Sequence, residues 1–194
     1  MLSGEEGDQQ LVERVQKGDK RAFDVLVLKY QHRIYSLVTR FVRDPDEVQD
    51  VVQEAFIKAY RALPGFRGES AFFTWLYRIA INTAKNYLVS RARRPPGADV
   101  DIEDAEYLES AGALRDLAGP ENQLMTEQLR AVIDKAIRAL PEDLRTALTL
   151  REFEGLSYEE IAEVMRCPVG TVRSRIFRAR EAVDHEILPL IEGN

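Results

Sequence analysis

The chain has one cysteine, Cys167, so an internal disulfide is impossible, and neither histidine lies near it at metal-ligand spacing. A reducing compartment is expected, with no metal and no other cofactor. The two histidines, His32 and His185, fall in different helical segments and carry no catalytic pattern. Long apolar runs are also missing: charged residues interrupt every stretch well short of the roughly 20 apolar residues that span a bilayer. The first residues are acidic and polar, without the basic-then-apolar order of an export signal. A cytoplasmic protein with no direct membrane insertion is therefore expected. Alternating apolar residues, internal repeats and low-complexity tracts are absent. So are a phosphate-binding loop and a nucleophile-base pattern, which leaves the 33 acidic residues without an enzymatic reading.

The 194 residues, 45% of them hydrophobic, are enough for one average domain or two small ones. Apolar residues recur at helical spacing. A short opening helix surrounds Leu11, Val12 and Val15. Asp19 then caps a long helix whose stripe is Phe23, Leu26, Val27, Tyr30, Ile34, Leu37, Val38 and Phe41. Asp44-Pro45 supplies a cap and a proline at the first helical position of the next, with the stripe Val48, Val51, Val52, Ala55, Phe56, Ala59 and Leu63, ending at Pro64-Gly65. Ser70 is expected to cap a fourth helix to about Ser90, with Phe72, Leu76, Ile79, Ala80, Thr83 and Tyr87 on one face. Residues 92–119 shift to arginine, proline, glycine, alanine and acid and read as a flexible acidic linker. Helical periodicity returns at Pro120, Pro141 restarts a helix, and Ser157-Tyr158-Glu159-Glu160 matches a capping box. The expected fold is all-α: two small helical domains, 1–91 and 120–194, joined by the linker.

A net charge of −6 argues against nucleic acid only if the charge is evenly spread, and it is not. Residues 99–121 carry dense acid around the single base Arg115, whereas Arg173 to Arg180 (RSRIFRAR) holds four arginines and no acid. Residues 157–180 have a helix-turn-helix pattern in which Ile161, Ala162, Met165, Val172 and Ile176 would pack two helices together. The second helix would present Arg173, Ser174, Arg175, Phe177, Arg178 and Arg180 to phosphates and base edges. The bland alternative is a solvated helix face. The turn position usually given to glycine is Arg166, which suggests a turn built differently; Cys167 reads as a small packing residue.

The fourth helix carries a second constellation. Arg78, Asn82, Lys85 and Asn86 form a polar stripe able to hold a nucleic-acid strand. Phe66 and Arg67 precede it in a glycine-flanked loop, and Phe72, Phe73, Trp75 and Tyr77 follow, an aromatic density on which unpaired bases could stack. Phe72 and Trp75 read better as core; Phe66 stays open between core and stacking.

A conventional helix-turn-helix regulator would explain residues 157–180 but leaves the aromatic-basic helix without a task. DVVQEAFIKAYRAL (50–63), FRGESAFFTWLYRIAINTAKNYL (66–88) and LPEDLRTALTLREFEGLSYEEIAEVMRCPVGTVRSRIFRARE (140–181) resemble the extracytoplasmic-function sigma factors of RNA polymerase, specifically the sigma-E and AlgU branch. The resemblance implies promoter-specific transcription initiation of envelope-stress genes, without catalysis. It implies that Asp50, Gln53, Glu54 and Lys58 bind the clamp helices of the largest polymerase subunit. It further implies that the Phe66 loop with Arg78, Ile79, Asn82 and Asn86 melts and reads the minus 10 element, while Arg173, Ser174, Arg175, Phe177 and Arg178 read the minus 35 element. A membrane-anchored anti-sigma partner that covers these surfaces, and can hold the protein at the inner membrane, is implied too.

Overall fold

A computed structural model describes the backbone of residues 4–93 and 120–192 and the side chains of residues 7–93 and 129–188. The described residues form helices and no strand. In chain order these are α1 (Gly4–Gln16), α2 (Lys20–Thr39), α3 (Pro45–Ala62), a 3-10 turn (Leu63–Gly65), α4 (Phe72–Ala92), α5 (Pro120–Ala139), α6 (Glu142–Glu152), α7 (Tyr158–Met165) and α8 (Val169–Glu192). The expected linker lies outside the described residues from 94 to 119, and Ala92 and Arg93 belong to the end of α4.

Local chemistry sets most of the boundaries. The Asp19 carboxylate accepts the N–H groups of Arg21 and Ala22 at the head of α2, and Asp44 accepts those of Asp46 and Glu47 ahead of Pro45 in α3. Each cap satisfies donors that a helix start leaves without intrahelical partners. Arg14 reaches Asp19 at 2.7 Å, and its hydrogen bond holds the Asp19 carboxyl below the usual carboxylate range. Ser70, in contrast, caps nothing: α4 begins at Phe72 with Ala71 in the cap position and no side-chain hydrogen bond. Burial of Phe72 and Leu76 dictates where α4 starts, and the serine falls one residue too early to serve it.

Helices α1 to α4 pack around Leu26, Ile34, Leu37, Val38, Val48, Val51, Leu76 and Ala80, all essentially inaccessible to solvent. Each large aliphatic side chain among them contributes about 1.5 to 3 kcal/mol by leaving water. At the edge of this core the buried Asp8 carboxylate accepts hydrogen bonds from the Tyr30 hydroxyl and from Lys29, which ties α1 to α2. In the second half, Ile137, Leu140, Leu148, Ala179 and Val183 gather α5, α6 and α8 into a smaller cluster. Leu150, Leu156, Ile161, Val172 and Ile176 instead join the cluster of the first four helices. The two halves of the chain therefore share a seam, with α7 packed against α4.

Candidate nucleic-acid interface

The capping box at the head of α7 is complete: the Ser157 hydroxyl accepts the Glu160 N–H at 3.2 Å, and the Glu160 carboxylate accepts the Ser157 N–H at 2.6 Å. Helix α7 closes on Arg166, whose φ of 51° and ψ of 49° are left-handed. Arg166 is the only non-glycine residue of positive φ among the described residues. The turn is thus built in the ordinary left-handed way, and the expectation of a different construction fails. Arginine tolerates a conformation that costs an L-residue roughly 1 kcal/mol or more, because hydrogen bonds such as Cys167 N–H to the Ala162 carbonyl at 3.1 Å fix it. Cys167 is partly buried against the core, and its Sγ accepts from Arg175 at 3.3 Å.

From this turn α8 runs with Val172, Ile176, Ala179 and Val183 inward. Arg173, Ser174, Phe177 and Arg178 face solvent, and Phe177 is 61% exposed, an unusual position for phenylalanine on an otherwise polar surface. Arg175 stands apart from them: it is partly buried, and its guanidinium lies 2.5 Å from Asp143 at the start of α6. Arg180 pairs with Glu152 at 2.5 Å, which raises its pKa above the ordinary arginine value. Two of the four arginines of RSRIFRAR are therefore internally neutralised, whereas Arg173, whose guanidinium lies 5.6 Å from the Tyr158 ring centroid, and Arg178 have no carboxylate partner among the described residues and can meet an outside anion.

The second surface surrounds α4. Phe66 sits with its ring centroid 4.9 Å from that of Trp75 and 6.3 Å from that of Phe72, so it is half-buried on an aromatic floor. Gln16 fixes the loop from below, donating to the Leu63 carbonyl at 3.0 Å and the Phe66 carbonyl at 2.8 Å. Beside it opens a cleft of about 510 Å³ lined by Phe66, Arg67, Trp75 and Arg78 from the first half and Glu163 and Arg166 from the second. Arg78 Nε is buried without a hydrogen-bond partner, and burial, followed by the nearby Arg166 charge, pulls its pKa down. Asn82 and Asn86 are exposed on the same helix, while Ile79 is only partly accessible. Tyr77 leaves the expected stacking group. It is fully buried, with its hydroxyl donating to Glu154 at 2.6 Å, and burial and that carboxylate push its pKa far up.

On α3, Asp50, Gln53 and Glu54 are exposed, and Lys58 is half-exposed beside Glu54 at 3.3 Å. Of these four, Gln53 lines a groove of about 1010 Å³ between α2 and α3 whose apolar lining includes Phe23, Val27, Tyr35, Val52, Phe56 and Tyr60. Sequence reasoning missed this groove, as well as Gln16, Glu154, Glu163 and the cleft role of Arg166. Only the exposed Ile57 and Tyr60 of α3 hint at the groove, because they fall outside the buried stripe.

Residues 26–94 match the model of Sigma-70 region 2, and residues 130–183 match that of Sigma-70 region 4. The chain is 68% identical over 187 residues to the RNA polymerase sigma-H factor of Pseudomonas aeruginosa, covering 96% of this chain and 97% of that protein. It belongs to the extracytoplasmic-function sigma factors. A second relative, the ECF RNA polymerase sigma-E factor of Escherichia coli K12, is 66% identical over 184 residues, covering 95% of this chain and 96% of the relative. Among solved structures, a sigma factor RpoE from Bartonella quintana, crystallised with the anti-sigma factor NepR, superposes with a TM-score of 0.66 at 27% identity, covering 85% of this chain and 96% of that one. As a sigma factor the chain directs promoter-specific initiation by RNA polymerase; region 2 contains α4, region 4 contains the helix-turn-helix, and the cleft beside α4 is lined from both.

Proposed function

We propose that this sigma factor divides its task among three surfaces. The outer face of α3, with Asp50, Gln53, Glu54 and Lys58, docks on the clamp helices of the largest polymerase subunit, and the apolar groove beside it widens the contact. The Phe66 loop with Arg78, Ile79, Asn82 and Asn86 captures a strand of the minus 10 element. Arg173, Ser174, Phe177 and Arg178, joined by Arg175 once it leaves Asp143, read the minus 35 element. In this reading residues 1–91 and 120–194 are the two working domains and residues 92–119 connect them.

The observation that carries the proposal is the pairing, in one chain, of two unlike nucleic-acid surfaces. One is a helix bearing the exposed Arg173 and Arg178 and an exposed Phe177, suited to a major groove. The other is a concave aromatic-cationic cleft suited to an unpaired base. A repressor needs only the first. Control by a membrane-anchored anti-sigma factor, and a regulon of envelope-stress genes, complete the proposal; the Bartonella neighbour in complex with NepR supports the kind of partner. Run-off transcription with purified core polymerase tests it: the chain should convert core enzyme to promoter-specific initiation, and Asn82→Ala should lose opening on duplex templates while retaining minus 35 binding. A chain that binds duplex DNA but never directs core polymerase would sink the reading.

A further inference from the structure

The Phe66 loop is held by a side chain from a helix that precedes residues 26–94, the part matched to Sigma-70 region 2. Gln16 is the last residue of α1, and its amide donates to the Leu63 carbonyl at 3.0 Å and to the Phe66 carbonyl at 2.8 Å. Leu63 opens the 3-10 turn, and its carbonyl also accepts the Phe66 N–H at 3.0 Å. One amide with two N–H donors thus ties both ends of the turn to α1. Past Phe66 the chain is open: Arg67, Gly68 and Glu69 are exposed, and Gly68 has a φ of 71°. Helix α1 is itself fixed, with Val12 and Val15 buried and Asp8 accepting the Tyr30 hydroxyl. The Tyr30 ring packs 5.7 Å from that of Phe72, which forms with Trp75 the floor under Phe66. Both the backbone of the loop and the floor beneath its ring are therefore connected to α1.

We infer that Gln16 is a positioning residue for base selection at the minus 10 element, acting through the backbone of the Phe66 loop. The inference rests on the assignment of that loop to the minus 10 strand. Contact with an aromatic floor restrains the Phe66 ring but leaves the backbone around it several conformations, the more so beside a left-handed glycine. Two hydrogen bonds to a fixed helix remove that freedom before DNA arrives, so the cost of ordering the loop does not fall on binding. Where the pocket is formed in only a fraction of molecules, the apparent affinity for the base it captures falls by that fraction. A base that does not enter the pocket loses nothing. Loosening the loop should therefore lower the discrimination between bases at the captured position, and leave general affinity for the strand in place.

The test uses holoenzyme assembled from core polymerase and the full chain, on bubble templates in which each minus 10 position of the opened strand carries each base in turn. Phe66→Ala first identifies the positions whose base preference depends on the loop. Gln16→Met keeps the side-chain length and removes both donors. Gln16→Lys keeps donors, and a ratio between bases cancels the uniform effect of its charge on strand binding. Gln16 is exposed, so both variants should fold with wild-type helical circular dichroism. Gln16→Met should lower the preference at the Phe66-dependent positions by about three- to tenfold, the factor that loss of a hydrogen bond of ordinary net strength produces. Gln16→Lys should stay near wild type. In the free chain, exchange of the Phe66 amide hydrogen should quicken in Gln16→Met alone. An unchanged preference or unchanged exchange in Gln16→Met overturns the inference, as does an equal loss in Gln16→Lys. A loss spread equally over all positions also overturns it, because it marks a general fault in folding or docking. Should Gln16→Met fail to fold, Gln16→Glu, which also lacks donors, carries the same test. If Phe66→Ala shifts preference and Gln16→Met does not, the inference alone fails; if Phe66→Ala shifts preference nowhere, the assignment of the loop fails and the inference falls with it.

Discussion

Arg166→Gly is a perturbation whose sign can be worked out before the experiment. Arg166 holds a left-handed conformation with φ 51°, and its side chain is exposed at the mouth of the cleft. Relieving the contact between Cβ and the following carbonyl gains about 1 to 2 kcal/mol. Glycine also makes the unfolded chain more flexible, which costs about 0.4 to 1 kcal/mol. The difference favours the variant by about 0.5 to 1 kcal/mol. Loss of the Arg166 charge beside Arg78 adds in the same direction, because that charge is among the causes that depress the Arg78 pKa. For a chain that unfolds as one unit of this size the melting temperature should rise by about 1 to 4 °C. Differential scanning calorimetry of wild type, Arg166→Gly and Arg166→Ala separates the causes. Alanine removes the charge but keeps the left-handed strain, so it should gain little. Equal stabilisation by both variants would assign the effect to charge, and destabilisation by glycine would refute the argument from backbone strain.

Other consequences follow from the same contacts. Ser157→Ala removes the hydroxyl that accepts the Glu160 N–H, leaving the Glu160 carboxylate its bond from the backbone N–H of residue 157, and should lower stability by about 1 kcal/mol in urea unfolding, with Ser157→Thr restoring most of it. Asn82→Ala, at an exposed position, should stay within about 0.5 kcal/mol of wild type in stability while permanganate footprints show defective opening, partly restored on a premelted bubble. Arg173→Ala and Arg178→Ala should weaken minus 35 recognition; a lost base contact costs about 1 to 3 kcal/mol selectively, whereas a lost phosphate contact weakens all sequences and lowers the salt slope by about one. The Tyr77 phenol stays protonated in the fold well above its ordinary value of 10.0, so the unfolded chain sheds this proton first as pH rises. Stability should therefore fall above about pH 10, and Tyr77→Phe should flatten that slope in pH-dependent melting, at the cost of the hydrogen bond to Glu154.

Most local structure was legible because its causes are local. Asp19, Asp44-Pro45 and Ser157 to Glu160 each solve a helix-start problem with residues a few positions away, and spacing alone reveals them. The apolar stripes of α2 and α3 are likewise internal to one helix: of the α2 stripe only Val27 is incompletely buried, and of the α3 stripe only Val52. Ser70 misled because a capping residue type was present, yet the ring of Phe72, packed on Tyr30, Phe66 and Trp75, governs the helix start. Packing outweighs a cap when the two differ by one residue, since burying a large aromatic is worth more than a single hydrogen bond.

What was not legible lies between segments distant in sequence. Tyr77 has the residue type of a stacking group and sits amid other aromatics, but Glu154, 77 residues later, turns it into a buried hydrogen-bond donor. No periodicity in α4 marks that role, because the position of Glu154 depends on the turn at Gly155, with φ 68°, and on the packing of α7 against α4. Arg175 shows the same limit from the other side. RSRIFRAR gives each arginine equal standing as a one-dimensional charge run, yet Asp143 and Glu152 divide the four into a pair with carboxylate partners and a pair, Arg173 over the Tyr158 ring and Arg178, without one among the described residues. Charge runs record what a surface can offer, and the acids of other segments decide how much of it is available. In this sigma factor that partition falls on the arginines proposed to meet the promoter, so two carboxylates of α6 set how many of the four an outside anion can reach unopposed.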